Sequence, residues 1–75
     1  MKLADFLKVF DANSTRIYLE RVDKPQYLYH GIVSCCESDL EKEYPYNDFF
    51  DFRVTKCKID DGLLYISIEQ WEEAF

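Results

Sequence analysis

Four side chains in this sequence could support covalent or metal chemistry: His30, Cys35, Cys36 and Cys57. A nucleophile–base pair needs a thiol held beside an imidazole, with a third group to orient the base. His30 is the only histidine, and it falls inside an alternating segment whose neighbours suit a strand. Nothing in its spacing from Cys35 or Cys36 favours a dyad over chance. By count, the same four groups make a tetrahedral zinc set. Adjacent cysteines rarely ligate one ion together, however, and no CxxC pair exists. The bland reading, small buried hydrophobes, is the better one for these thiols. Glu37-x-Asp39-x-Glu41 lacks the glycine and the ligand register of a calcium loop. With only Gly31 and Gly62, the chain has no phosphate-cradling loop. The expectation is a protein without catalytic residues, metal or cofactor.

Recognition chemistry is better represented. The stretch Tyr44-Pro45-Tyr46-Asn47-Asp48-Phe49-Phe50-Asp51-Phe52 holds five aromatics and two acids, directly after Glu37, Asp39, Glu41 and Glu43. Aromatic anchors rimmed by charge are the material of binding hot spots. Alternation buries some of these rings, and Phe50 and Phe52 are the expected core members. Tyr44, Tyr46 and Phe49 remain for exposure. Glu41, Glu43, Tyr44, Tyr46, Asp48, Phe49 and Asp51 therefore form the candidate protein-binding site. The competing reading is that Phe49 closes the sheet and the tyrosines pack over a helix.

Charge supports a protein partner. The net charge is −6, unevenly spread. Residues 1–34 carry five basic and four acidic side chains, and residues 35–75 carry four and eleven. An acidic half repels phosphate, so nucleic acid is not the expected partner there. It suits a basic protein surface, including a groove that normally holds nucleic acid. The acids also serve simply to keep an aromatic-rich chain soluble.

The elements that position these residues follow from periodicity. Leu3, Phe6, Leu7 and Phe10 fall at i, i+3, i+4 and i+7, an amphipathic helix of two to three turns. The short polar side chains of residues 11–14 stop it, because they compete for backbone hydrogen bonds. Thr15, Ile17 and Leu19 alternate with Arg16, Tyr18 and Glu20 as a half-buried strand. Residues 23–26 turn the chain at Pro25, and residues 27–33 return it as a hairpin. Gly31 within that strand indicates a bulge or a close backbone approach. A short helix is expected over 36–43, capped by Ser34 or Ser38. Pro45 then forces a loop.

Residues 50–59 read as a third strand. Its apolar parity changes between Val54 and Cys57, which a bulge near Lys56 reconciles. Asp60-Asp61-Gly62 is a hairpin turn, and Leu64, Ile66 and Ile68 line the inner face of the fourth strand. Residues 70–75 are a tail of about one helical turn.

The fold class is thus α+β in one domain of 75 residues: a four-stranded antiparallel sheet of two hairpins, with an N-terminal helix and a short helix between the hairpins. So short a chain buries only about 60–65% of its unfolded surface. Yet 17% of its residues are aromatic, so some rings belong at an interface. Tyr18, Tyr29, Leu63 and Tyr65 on the outer sheet face are the candidates for self-association, and a homo-oligomer is expected. No apolar run approaches a membrane span, and the N-terminus does not read as a secretion signal. Three unpaired cysteines fit a reducing cytoplasm.

The segments LADFLKVF (3–10), Thr15-x-Ile17-x-Leu19, Leu28-Tyr29-x-Gly31-x-Val33 and DDGLLYI (60–66) with Ile68 together resemble a group of small proteins. These are encoded in phages and mobile elements of low-GC Gram-positive bacteria. The resemblance lies in pattern across most of the chain. It implies a role in the host bacterial cytoplasm. Some similar proteins act as anti-CRISPR inhibitors, and some form an oligomeric sheet like that of a single-stranded-DNA-binding cofactor. The acidic-aromatic stretch at 37–52 departs from the group and favours a protein target. The expected function is a non-catalytic inhibitor of a host protein with a basic surface. The alternative is a small nucleic-acid-binding or regulatory protein, with Lys8, Arg16, Arg21 and Lys24 on phosphates and Tyr18 or Tyr29 on bases.

Overall fold

A computed structural model describes residues 1–71. The element order is α1 (Leu3–Leu7), β1 (Arg16–Arg21), β2 (Gln26–Ile32), α2 (Val33–Glu43), a 3-10 turn (Phe49–Asp51), β3 (Arg53–Asp60) and β4 (Leu63–Glu69). The α+β class and the placement of both helices are as the periodicity predicts. Within the expected tail, Gln70 and Trp71 have no regular structure, and residues 72–75 lie outside the described residues.

The sheet is mixed rather than antiparallel. Its order is β2-β1-β4-β3, and the central pair β1–β4 is parallel. Each hairpin is antiparallel within itself, as expected. The parallel pair follows from α2. A helix packed along the sheet carries the chain back to the end where β2 began, so β3 runs in the same direction as β2. Its partner β4 must then run with β1. The centre thereby holds the most deeply buried side chains of the sheet: Ile17, Leu19, Ile66 and Ile68 are fully buried. Burying each such side chain contributes about 1.5–3 kcal/mol.

Several local expectations hold, and others are corrected. The register shift of β3 lies between Val54 and Lys56, so Thr55 is the extra residue, and its hydroxyl donates to Ser67 O at 3.2 Å. Asp61 and Gly62 both take positive φ, 52° and 77°, the conformation a tight hairpin turn needs. Helix α1 is shorter than predicted. It ends at Leu7 because Asp11 draws the following backbone into a turn, accepting from Asn13 N–H at 2.9 Å on its side chain and from Thr15 N–H at 2.9 Å on its carbonyl.

Helix α2 starts three residues earlier than expected, and neither serine caps it. Its first N–H groups donate instead to loop carbonyls: Val33 N–H to Thr15 O and Ser34 N–H to Ala12 O. Ser38 turns back onto Cys35 O.

Both helices pack on one face of the sheet. Leu3 and Leu7 of α1 and Cys36 and Leu40 of α2 join the inward residues of β1, β2 and β4 and the rings of Phe49 and Phe52 in one cluster, with Val54 of β3 packed against it. Among the described residues, no helix covers the other face, and no helix is long and apolar enough to cross a membrane.

Candidate functional site

Helix α2 is amphipathic in the ordinary sense. Cys36 and Leu40 point into the core, while Glu37, Asp39, Glu41 and Glu43 lie exposed. At its end Tyr44 ties the helix to the edge strand β2. The Tyr44 hydroxyl accepts from Gln26 Nε2 at 3.1 Å and donates to Tyr27 O at 3.5 Å. Its ring stands edge-on to Phe49, 5.4 Å between centroids.

The loop beyond is clamped by one side chain. Asn47 Nδ2 donates to Tyr44 O at 2.8 Å and to Leu40 O at 3.3 Å, and Asn47 Oδ1 accepts from Phe49 N–H at 3.1 Å. This short closed loop forces Tyr46 into the left-handed region, φ 66°. The side chain of Tyr46 projects fully into solvent, at 104% relative exposure. Glu43 and Asp48 stand exposed on either side of it in sequence. Glu37 flanks α2 on the α1 side, and Asp39 and Glu43 flank it on the β2 side together with the exposed Lys42, so the helix is a ridge edged by acids on both flanks, with one bare aromatic ring beyond its end.

Of the predicted protein-binding residues, Glu41, Glu43, Tyr46, Asp48 and Asp51 are exposed, and Asp51 pairs with Lys2 at 3.6 Å. Tyr44 is half-buried in the scaffolding role just described. Phe49 is a correction: it is a core residue, 6% exposed, stacked edge-on between Tyr44 and Phe52. Its burial follows from the 3-10 turn. Three residues per turn place Phe49 and Phe52 on the same side, where strand alternation would pair Phe50 with Phe52. Phe50 is only half-buried.

The self-association set is also rearranged. Tyr18, Leu63 and Tyr65 have the parity of the uncovered sheet face. Tyr29 does not. It lies opposite the inward residue Leu19, is 6% exposed, and its hydroxyl donates to Ile32 O at 2.6 Å. Burial pushes that hydroxyl up to about 12. The cause is a register shift opposite Leu19 and Glu20, which leaves Leu28 as an extra residue in β2. Leu28 and its neighbour Tyr29 are therefore both buried, which strict alternation forbids. Gly31 is the close approach rather than the bulge. A Cβ there would sit 2.6 Å from Tyr29 Oη.

Sequence reasoning missed Tyr27 and His30 as members of the outer face. Both rings contact Tyr18, at 5.4 and 5.8 Å between centroids, and Tyr65 contacts it from the other side at 5.4 Å. Alternation from the expected outward Tyr29 already offered Tyr27; His30 is outward, and Tyr29 inward, only because of the extra residue Leu28.

The cations proposed for phosphate contact are dispersed. Lys8 pairs with Asp5 at 3.7 Å, and Arg21 pairs with Asp23 at 2.7 Å while lying over the Phe52 ring. The Arg21 contact, and secondarily the Gln70 N–H, holds the Asp23 carboxyl down to about 2 against a partial desolvation. Arg16, Lys56 and Lys58 form no ion pair among the described residues, and neither do Glu37, Asp39, Glu41, Glu43 or Asp48.

The cysteines are free, with Cys35 and Cys57 exposed and Cys36 buried. Burial, reinforced by Asp39 and Glu37, pushes the Cys36 thiol up to about 12. Among the described residues, no three His, Cys, Asp or Glu side chains gather as a metal site.

Comparison of the chain with protein-family models, curated proteins and solved structures finds no match.

Proposed function

We propose that this chain is a non-catalytic binding protein that docks on a basic protein surface through the α2 ridge, with Tyr46 as the anchor. The observation that carries the reading is Tyr46 itself. A left-handed conformation destabilises a non-glycine residue by about 1–2 kcal/mol. Strain of this kind, kept at a fully exposed ring, fits a residue selected for contact rather than packing. Around it, unpaired carboxylates supply the rim that steers a cationic partner and fixes its register.

The partner of this chemistry is a host protein whose basic groove holds nucleic acid. Occupying such a groove with carboxylates is a direct way to inhibit it. That fits an anti-defence role of the kind the resemblance implies.

The test is affinity capture from host lysate with two baits. One is the wild type, and the other carries Glu41→Lys, Glu43→Lys, Asp48→Lys and Tyr46→Ala. The expected result is a basic protein held by the wild type, lost from the variant, and eluted by ~0.5 M salt, where the screening length is only a few ångströms. Recovery of the same proteins with both baits refutes the reading.

A further inference from the structure

We propose that the uncovered face of the sheet binds single-stranded nucleic acid, stacking bases on Tyr18, Tyr27 and Tyr65 and holding phosphates with Arg16, Lys56 and Lys58. This surface meets α2 only at its β2 edge and does not rest on the ridge having a partner.

Register builds the platform. Tyr18 of β1 lies opposite His30 of β2 on one side and Tyr65 of β4 on the other, and Lys58 of β3 lies opposite Tyr65. These four form one straight row across the whole sheet. The next row is Tyr27, Glu20, Ser67 and Lys56, by the same pairings. Strands lie about 4.8 Å apart, so each row spans roughly 14 Å, enough for two or three bases. Tyr27 is half exposed, His30 is exposed, and Tyr18 and Tyr65 are partly open because the rings lean on one another.

Charge selects the occupant. Lys56 and Lys58 are exposed, free of ion pairs among the described residues, and ranged along one edge of the aromatic rows. Lys58 Nζ already sits 5.7 Å above the Tyr65 ring, a cation beside a stacking surface. Arg16 extends the same face by register, and Asp60, opposite Leu63, brings one exposed acid to that outer row. Within the two aromatic rows the single acid, Glu20, is engaged by the Ser67 hydroxyl at 3.0 Å. A second copy laid back to back would bring two sets of unpaired cations together. A polyanion with exposed bases meets both features, and a duplex, whose bases are already stacked, meets only the charge. Asp39 and Glu43 border the platform beside Tyr27 and His30 at the β2 edge. Lys56 and Lys58 stand at the opposite edge, on β3, three strand spacings or roughly 14 Å away, against a screening length of about 8 Å at physiological salt.

The test is fluorescence anisotropy of a labelled oligothymidylate of ~12 nucleotides, beside a duplex of equal length, at ~50 mM salt and above. Single-strand binding is expected, with log affinity falling against log salt at a slope near −2, from three phosphate contacts at about 0.7 each. Tyr18→Ala and Tyr65→Ala should each weaken it at least ~5-fold. Lys58→Gln, an exposed change that leaves the fold alone, should flatten the slope to about −1.4. Equal affinity for the duplex overturns the proposal. So does an absence of binding at ~100 µM protein, or affinity unchanged in Lys58→Gln and Tyr18→Ala. A dimer seen by sedimentation that Tyr18→Ala dissociates would mean that a second copy covers the face, and would equally overturn it.

Discussion

Replacing Tyr46 with glycine should make the protein more stable while it weakens partner binding. The side chain is fully exposed, so truncation removes no packing. The backbone sits at φ 66°, which destabilises an L-residue by about 1–2 kcal/mol and a glycine by almost nothing. Against this stands the extra freedom of glycine in the unfolded chain, about 0.5–1 kcal/mol. The net expectation is a gain of about 0.5–1 kcal/mol. In a domain of this size that raises Tm by roughly 2–8 °C. Urea denaturation at constant m-value measures it directly. Tyr46→Ala is the internal control. It keeps a Cβ and therefore the strain, so its stability should stay within about 0.5 kcal/mol of wild type. Both variants lose the ring, and an anchor of this type contributes about 2 kcal/mol or more, a loss of at least ~30-fold in affinity. Opposite signs for stability and binding are the signature of strain retained for contact. If Tyr46→Gly is less stable than wild type, the ring is structural and the reasoning fails.

Other perturbations test the scaffold. Gly31→Ala should destabilise by about 1–3 kcal/mol, because the new Cβ would lie 2.6 Å from Tyr29 Oη. The same change in a Tyr29→Phe background should be less damaging, and a thermodynamic cycle with no coupling would contradict the contact. In native protein, iodoacetamide should modify Cys35 and Cys57 and spare Cys36 until denaturant is added, as read by mass spectrometry. Equal rates at all three thiols would place Cys36 outside the core. Asp23 binds its proton more weakly when folded, about 2 against 3.8 unfolded. Its stabilisation is therefore complete above about pH 4 and is lost as pH falls toward 2. Asp23→Asn should flatten the fall of Tm over that range, and an unchanged acid limb would mean that the Arg21 contact is not maintained in solution.

What was legible in the sequence is what local chemistry decides. Alternation in Ile17–Leu19 and in Leu64, Ile66 and Ile68 gave the inner face, and the parity change after Val54 located the Thr55 bulge. What was hidden depends on distant partners. The parallel β1–β4 pair arises from how α2 returns the chain. The early start of α2 depends on carbonyls of Ala12 and Thr15, residues that precede β1.

The two misplaced aromatics share one cause, an extra or tightened residue that breaks a period: Leu28 for Tyr29, and the 3-10 turn for Phe49. For the ridge, composition identified Glu41, Glu43, Tyr46 and Asp48 as exposed. The clamp by Asn47 that strains Tyr46 was not readable, because an amide in a loop has many equivalent uses. Charge pairing was hidden in part. Lys8 has Asp5 three residues before it on the expected helix, a pair the spacing allows, whereas the Arg21–Asp23 contact and the unpaired state of Lys56 and Lys58 among the described residues needed the fold.

The most direct test of the binding account is amide chemical-shift mapping of the isotope-labelled protein titrated with the captured basic partner. The account predicts that the largest shifts fall on Glu41, Glu43, Tyr46 and Asp48 and vanish in the variant that reverses those charges. Shifts confined to Tyr18, Tyr27 and Tyr65, with the ridge unmoved, would contradict it.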